Sequence, residues 1–166
     1  ISIRQALAES RNLPAIKAAE ASGMSPVIDL AKSMGETNIG CGESCDSLGL
    51  SIGSGTVQLD QHTATYATLA RGGIAKPETY ILKIEKSNGE IVQQWKDTPG
   101  VKTLGDKGAE ISYLISDILA DDRARRVTFG NPVGFNPKGV KAAVKTGTTD
   151  SAKDGWMMGY TPKLAV

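Results

Sequence analysis

Apolar positions recur three and four apart through the first part of the chain, and the period then changes to two. The first pattern marks helices with one buried face, and the second marks half-buried strands. Ile3, Ala6 and Leu7 fall on one side of a short helix over residues 2–9. Ser10-Arg11-Asn12 interrupts it. Asn12 is placed to cap a second helix, with Pro14 in its first turn, running to about Ala21 and ending at Gly23. Ser25-Pro26 repeats the start signal and Gly35 the stop, and Val27, Ile28, Leu30, Ala31 and Met34 supply that helix's buried face. Residues 36–55 form a long irregular connection, a kind that often carries function. Thr56 to Arg71 is helical again, with Val57, Leu59, Ala64, Ala67 and Leu69 at helical spacing and Gly72-Gly73 at its end.

Further on, Tyr80–Glu85 and Ile91–Trp95 flank Asn88-Gly89, a strong hairpin signal, with Trp95 packing on the hairpin. Ala109–Leu119 is a helix with Ile111, Leu114, Ile115, Ile118 and Leu119 inward. Residues 121–139 are a charged and then glycine- and proline-rich connection, where Asp121-Asp122-Arg123 and Arg125-Arg126 read as a solvated helix end. Val140–Val144 is apolar and β-prone and leads into Lys145-Thr146-Gly147-Thr148-Thr149. Asp150–Asp154 is a turn and Gly155–Tyr160 a strand. Helices first and an antiparallel pair last predict an α+β fold in a single domain over residues 1–166. The chain begins inside what reads as a helix and stops, at Leu164-Ala165-Val166, inside what reads as a strand. It therefore reads as a domain truncated at both ends.

Composition narrows the function classes. The 166 residues suffice for one real core. A formal net charge of +1, with both signs interspersed, provides no basic face for nucleic acid and no reason to expect an acidic-lipid surface. No stretch approaches the roughly 18 apolar residues of a spanning helix. Cys41 and Cys45 read either as two free loop thiols or, in an oxidising compartment, as a disulfide closing a small loop. A zinc site would need two further ligands, and the only histidine, His62, lies in another segment. His62 itself reads as a surface or half-buried side chain rather than a base.

Two short motifs carry candidate chemistry. Lys145-Thr146-Gly147 follows an apolar strand, so the lysine presents a point charge beside a strand edge. Gly147 admits another backbone, and Thr146 and Thr148 fall on one face as hydroxyls able to bind a carboxylate. Taken alone it is an ordinary exposed strand end. Ser10-Arg11-Asn12 taken alone is a helix cap with an arginine nearby. Together and in this order they resemble the second and third of three motifs shared by β-lactamases and penicillin-binding proteins. Trp156 either lines the groove beside Lys145 or fills the core.

With their flanks, the motifs resemble the transpeptidase domain of class A (bifunctional) penicillin-binding proteins. Ser10-Arg11-Asn12-Leu13-Pro14-Ala15-Ile16-Lys17 resembles the second motif. Gly49–Gly55 and Ala64–Gly73 are similar to the stretch that follows it. Val144–Thr149, then Asp154–Pro162, resemble the third motif and its next strand. Residues 36–48, with the cysteines, depart from the pattern. The first motif, a serine with lysine three residues later, is missing: no serine of the chain has Lys at that spacing.

The resemblance implies a partial penicillin-binding-protein/serine β-lactamase-like fold, a helical subdomain plus antiparallel strands. It implies part of a peptidoglycan D,D-transpeptidase that works through a serine acyl-enzyme. Ser10, Asn12 and Lys145 would be catalytic, and Thr146, Gly147 and Thr148 would bind substrate. Implied partners are stem peptides, β-lactam antibiotics and cell-wall synthesis proteins, with no metal or cofactor and no nucleic acid. The expected location is the extracytoplasmic face of a bacterial membrane. The nucleophile, membrane anchor and glycosyltransferase are expected upstream of Ile1, and the chain alone is expected to be inactive. A serine β-lactamase-like hydrolase and a non-catalytic binding module are the alternatives.

Overall fold

In the computed structural model, which describes residues 1–42, 45–130, 139–149 and 152–166, three helices come in succession. They are α1 (Ile3–Ala8), α2 (Asn12–Ser22) and α3 (Met24–Met34). Ser2 starts α1 with a capping box: its hydroxyl accepts from the Gln5 amide while the Gln5 side chain accepts from the Ser2 amide. At α2 the expected cap is displaced by one residue. Arg11 occupies the cap position without a side-chain bond to the helix amides, and Asn12 is the first helical residue. Pro14 costs nothing there, because first-turn amides have no partner within the helix. After α3 the connection is pinned by a bridge between Gly40 and Thr56 and by a 3₁₀ turn over Leu48–Ile52, then leads to α4 (Leu59–Ala70).

Three of these helices close with the same pair of backbone bonds. After α3 the amides of Gly35 and Glu36 donate to Lys32 and Ala31 (3.2 and 3.0 Å); after α4 those of Gly72 and Gly73 donate to Leu69 and Thr68 (3.0 and 2.9 Å). This ending needs a positive φ at its first donor, which glycine supplies at no steric cost: φ is 131° at Gly35 and 69° at Gly72. After α1 the amides of Ser10 and Arg11 donate to Leu7 and Ala6 (3.2 and 2.9 Å), but the positive-φ residue is Ser10, at 57°. A side chain in that conformation costs about 1–2 kcal/mol.

The remaining elements are β1 (Ile74–Ala75), β2 (Lys83–Glu85), β3 (Ile91–Gln94), β4 (Val101–Lys102), α5 (Gly108–Leu119), α6 (Asp122–Phe129), β5 (Ala143–Thr148), β6 (Gly155–Thr161) and β7 (Leu164–Ala165). Strands β2 and β3 form the expected hairpin, and β1 pairs with β4 as a small antiparallel ladder that no local pattern announces. The main sheet is antiparallel in the order β5-β6-β7, with Lys145 opposite Met158 and Gly147 opposite Trp156. The architecture is α+β.

The structure corrects several expectations. Residues 122–129 are a helix in their own right, not a solvated end: the Asp121 carboxylate accepts from the Arg123 and Ala124 amides (3.1 and 3.0 Å) and so starts α6. Arg125 is buried, with its guanidinium on the Leu119 carbonyl. Lys145-Thr146-Gly147 lies within β5 rather than after a strand over 140–144. Ile3, Val27, Leu30, Ile111 and Leu114 are exposed. Ile28 and Met34 of α3 and Ile118 and Leu119 of α5 are buried as expected, and Met24, Gly108 and Ser112 are buried with them. A three-residue spacing fixes a face but not its centre. Trp95 is largely exposed beside its hairpin. Most of the expected glycine- and proline-rich connection, residues 131–138, lies outside the described residues, as do Asp150 and Ser151 of the expected turn.

The core that carries the sheet joins Leu119, Ala143 and Tyr160, packed by Leu7, Tyr66, Leu69 and Ile115. The Tyr160 hydroxyl meets Ser116 Oγ at 2.8 Å, satisfying a polar group that would be costly to bury alone. Thr68, at 1% exposure, donates to the Met34 carbonyl (2.9 Å) and ties α4 to the end of α3. A smaller cluster of Ala19, Met24 and Ile28 holds Ile39, Leu48 and Leu50, and so seats the 3₁₀ turn. Sheet, helices and connection are thereby set around the outer strand β5.

Candidate functional site

Ser10 and Lys145 are 135 residues apart in sequence, yet Lys145 Nζ donates to Ser10 Oγ at 2.6 Å. Two local features aim the serine. The positive-φ closure of α1 turns the chain sharply at Ser10, and Arg11 fixes the next residue through two guanidinium nitrogens on Glu9 Oε2, both at 2.7 Å. Glu9 is itself buried. Lys145 is held from the strand side, where Nζ also donates to the Thr146 carbonyl at 2.6 Å. Backbone strain in a turn that presents a hydroxyl is a mark of functional sites. Burial lowers the pKa of Lys145 below its ordinary value, and the nearby Arg125 charge lowers it further.

Lys145 also lines a cavity of about 460 Å³ together with Thr146, Gly147, Thr148, Trp156 and the 50–57 connection. By strand alternation Lys145 and Gly147 share a face with Met158 and Trp156, and Thr146 and Thr148 share the other. Strand β5 is the sheet edge among the described strands, so a cavity beside it meets both faces. Inside the chain nothing crowds Gly147: a Cβ there would meet only Trp156, at 3.7 Å.

The other expected site residues fall differently. Asn12 is exposed at the start of α2 and makes no side-chain hydrogen bond among the described residues. Trp156 takes the groove position rather than the core, edge to face with His62 at 5.7 Å. Cys41 and Cys45 face each other as a disulfide pair with Cα atoms 4.9 Å apart. Sequence reasoning missed Arg125, Glu36 and the cavity position of His62. Asp121 before an amphipathic stretch was the available signal for α6, and with it for Arg125. Nothing local signals that Glu36 and His62 meet. Among the described residues no helix is long and apolar enough to cross a membrane.

No sequence-family profile matches the chain. It is 26% identical over 181 residues to penicillin-binding protein 1A of Rickettsia conorii, covering all of this chain and 22% of that protein. It is 29% identical over 182 residues to penicillin-binding protein 1A/1B of Bacillus subtilis, covering 98% of this chain and 18% of that protein. The chain thus spans about a fifth of the length of these curated relatives. Among solved structures, the penicillin-binding protein PonA1 of Mycobacterium tuberculosis superposes with a TM-score of 0.80 at 23% identity, over 99% of this chain and 46% of that one. The same protein in complex with penicillin V superposes at 0.72 and 24% identity, over the same shares. The fold is therefore that of penicillin-binding transpeptidase domains in part, and in sequence the chain is similar to a part of penicillin-binding proteins 1A and 1A/1B.

Proposed function

We propose that residues 1–166 form one partial domain that supplies the proton-handling and carboxylate-binding side of a serine D,D-transpeptidase site. That site would cross-link peptidoglycan stem peptides and accept β-lactams as mimics of the donor. The observation that carries this reading is the 2.6 Å bond between Lys145 Nζ and Ser10 Oγ at the edge of a cavity walled by Thr146, Gly147 and Thr148. The penicillin V complex of PonA1 supports the β-lactam part.

In this reading a nucleophilic serine attacks the donor carbonyl, its hydroxyl proton passes to the lysine of its own motif, the new C–O bond forms and the C–N bond breaks. Ser10 gives its hydroxyl proton to the departing amine and takes one from the Lys145 ammonium. A lowered lysine pKa favours that transfer, because the ammonium is then the stronger acid. Thr146 and Thr148 hold the donor's terminal carboxylate, Gly147 admits its backbone, and Asn12 orients the donor peptide. The Thr148 amide is one of two oxyanion donors; removing such a donor typically costs on the order of 10²–10³ in rate. The second donor and the nucleophile come from residues outside these 166, since none of the chain's serines has lysine at the required spacing. A Cys41–Cys45 disulfide fits the oxidising, extracytoplasmic side of a bacterial membrane.

The test uses fluorescent penicillin on a denaturing gel, with benzylpenicillin titrated in parallel against the backbone amides by NMR. The chain alone is expected to give no labelled band, but saturable shifts at Thr146, Gly147 and Thr148. A labelled band would overturn the inactivity of the chain alone, and shifts confined to other surfaces would overturn the site.

A further inference from the structure

The hairpin β2–β3 carries a pattern that the transpeptidase reading does not use. Strand β2 has β3 on one side and, among the described strands, no neighbour on the other. The Trp95 amide donates to the Leu82 carbonyl and the Lys86 amide to the Glu90 carbonyl, both at 2.9 Å. Backbone groups alternate sides along an antiparallel strand, so those of Ile84 face β3 together with those of Leu82 and Lys86. The N–H and C=O of Lys83 and Glu85 therefore face the free edge. The register shift in the ladder leaves this alternation intact, because the extra residue, Val92, belongs to β3.

Side chains alternate as well. Lys83 and Glu85 share one face, where they form an ion pair, and Ile84 lies on the other. All three are exposed, as are Leu82 and Trp95 beside them. A charged edge strand normally resists pairing with a copy of itself. Here the two charges are opposite and two residues apart, which reverses the effect. When two β2 strands lie antiparallel about a two-fold axis at Ile84, Lys83 stands opposite Glu85 of the second copy, and Glu85 opposite its Lys83. Both residues of each such pair turn their backbone groups to the shared edge, so each is a hydrogen-bonded pair. Ile84 meets Ile84 of the second copy at the non-hydrogen-bonded position, where opposing side chains come closest. Parallel pairing in register would set Lys83 on Lys83. An antiparallel slip of one residue would set outward backbone groups against inward ones. Charge and backbone polarity thus select one register.

We propose that the free edge of β2 is a self-association surface, through which two copies of this chain pair about a two-fold axis into one antiparallel sheet in the order β3-β2-β2-β3. The interface is isologous, each copy offering the same Lys83-Ile84-Glu85 edge. A two-stranded ladder with both faces exposed is marginal in water, and the pairing doubles its strands.

A short strand pair makes a weak dimer, so the test is sedimentation of the chain at concentrations up to about 1 mM. The dimer is expected to grow with concentration. Glu85→Lys and Lys83→Glu each turn both cross-strand pairs into like charges and should weaken association by about 10- to 30-fold. An equimolar mixture of the two variants restores opposite charges across the axis and should recover association to within about threefold of the unaltered chain. In the unaltered chain, amide hydrogen exchange at Lys83 and Glu85 should slow as concentration rises, a readout that needs no variant and decides the matter if the variants lose their hairpin. A monomer at every concentration overturns the proposal. So does a dimer that both variants leave unchanged, a mixture no more associated than either variant alone, or edge amides that exchange equally fast in monomer and dimer.

Discussion

The hairpin β2–β3 and the strand β5 are both antiparallel and both follow clear local signals, but they are built for different ends. Every residue of β2 and β3 is exposed, and the hairpin's bonds are to itself: Lys86 with Glu90 around the turn, and the Trp95 amide on the Leu82 carbonyl. Strand β5 starts buried at Ala143 and Val144 and emerges at Gly147 and Thr148, so one strand joins the core to the cavity. Its lysine is met by a serine from the far end of the chain. A strong local signal thus marks where a strand forms, while the placing of chemistry depends on contacts that span the sequence.

Substitutions can break or sharpen that contrast. The largest effect is expected at Tyr160 of β6, which pairs with Ala143 of β5 and is buried against it and Leu119. Tyr160→Ala should cost about 3–5 kcal/mol in urea unfolding, as for other buried aromatics. A loss near that of a surface change would mean that β5 is not anchored by this core.

Ser10 separates strain from function. Ser10→Gly removes the side chain from a positive-φ position and should be more stable than Ser10→Ala by about 1 kcal/mol, although both lose the bond to Lys145. Equal stabilities would show that the closure of α1 stores no strain.

Asp121 tests the start of α6. Asp121→Ala should cost about 1 kcal/mol through the lost cap. The carboxylate's pKa is held below its ordinary 3.8, first by the Ala124 amide and then by Arg4. Its contribution is therefore full above about pH 4 and lost as pH falls through the lowered value. Chemical denaturation of the variant should show a shallower loss of stability in acid than the unaltered chain.

The smallest effect belongs to the hairpin. Trp95→Ala should change stability by about 1 kcal/mol or less and leave benzylpenicillin shifts at Thr146–Thr148 unchanged. A change at those amides would tie the hairpin to the site and erase the contrast.

How much was legible in the sequence follows the same division. The glycine stops at Gly23, Gly35 and Gly72 and the Asn88-Gly89 hairpin are local matters and stand where the pattern places them, while the Lys145 strand forms but is shifted onto Ala143–Thr148. The serine of the Ser10 loop was legible as a motif, but its glycine-like backbone was not, because serine ordinarily avoids that conformation. The short β1–β4 ladder has too few residues to show a period. Arg125 was read as solvated because charge usually is, yet the Leu119 carbonyl and the turn into α6 draw it inside. Glu36 and His62 lie 26 residues apart on different elements, and only packing brings them together.

The central claim is that Lys145, half-buried beside Ser10 and Arg125, is a lysine tuned to give up its proton. Its folded pKa is lowered, first by burial and then by the Arg125 charge, so the unfolded chain binds the proton more tightly. Stability should accordingly rise with pH across the window between the lowered value and the ordinary 10.5. The most direct measurement is a pH titration of the Lys145 13Cε resonance in the folded chain, repeated in Arg125→Gln. The account predicts a midpoint below 10.5 that moves up toward it in the variant. A midpoint at or above 10.5 in the unaltered chain would contradict it.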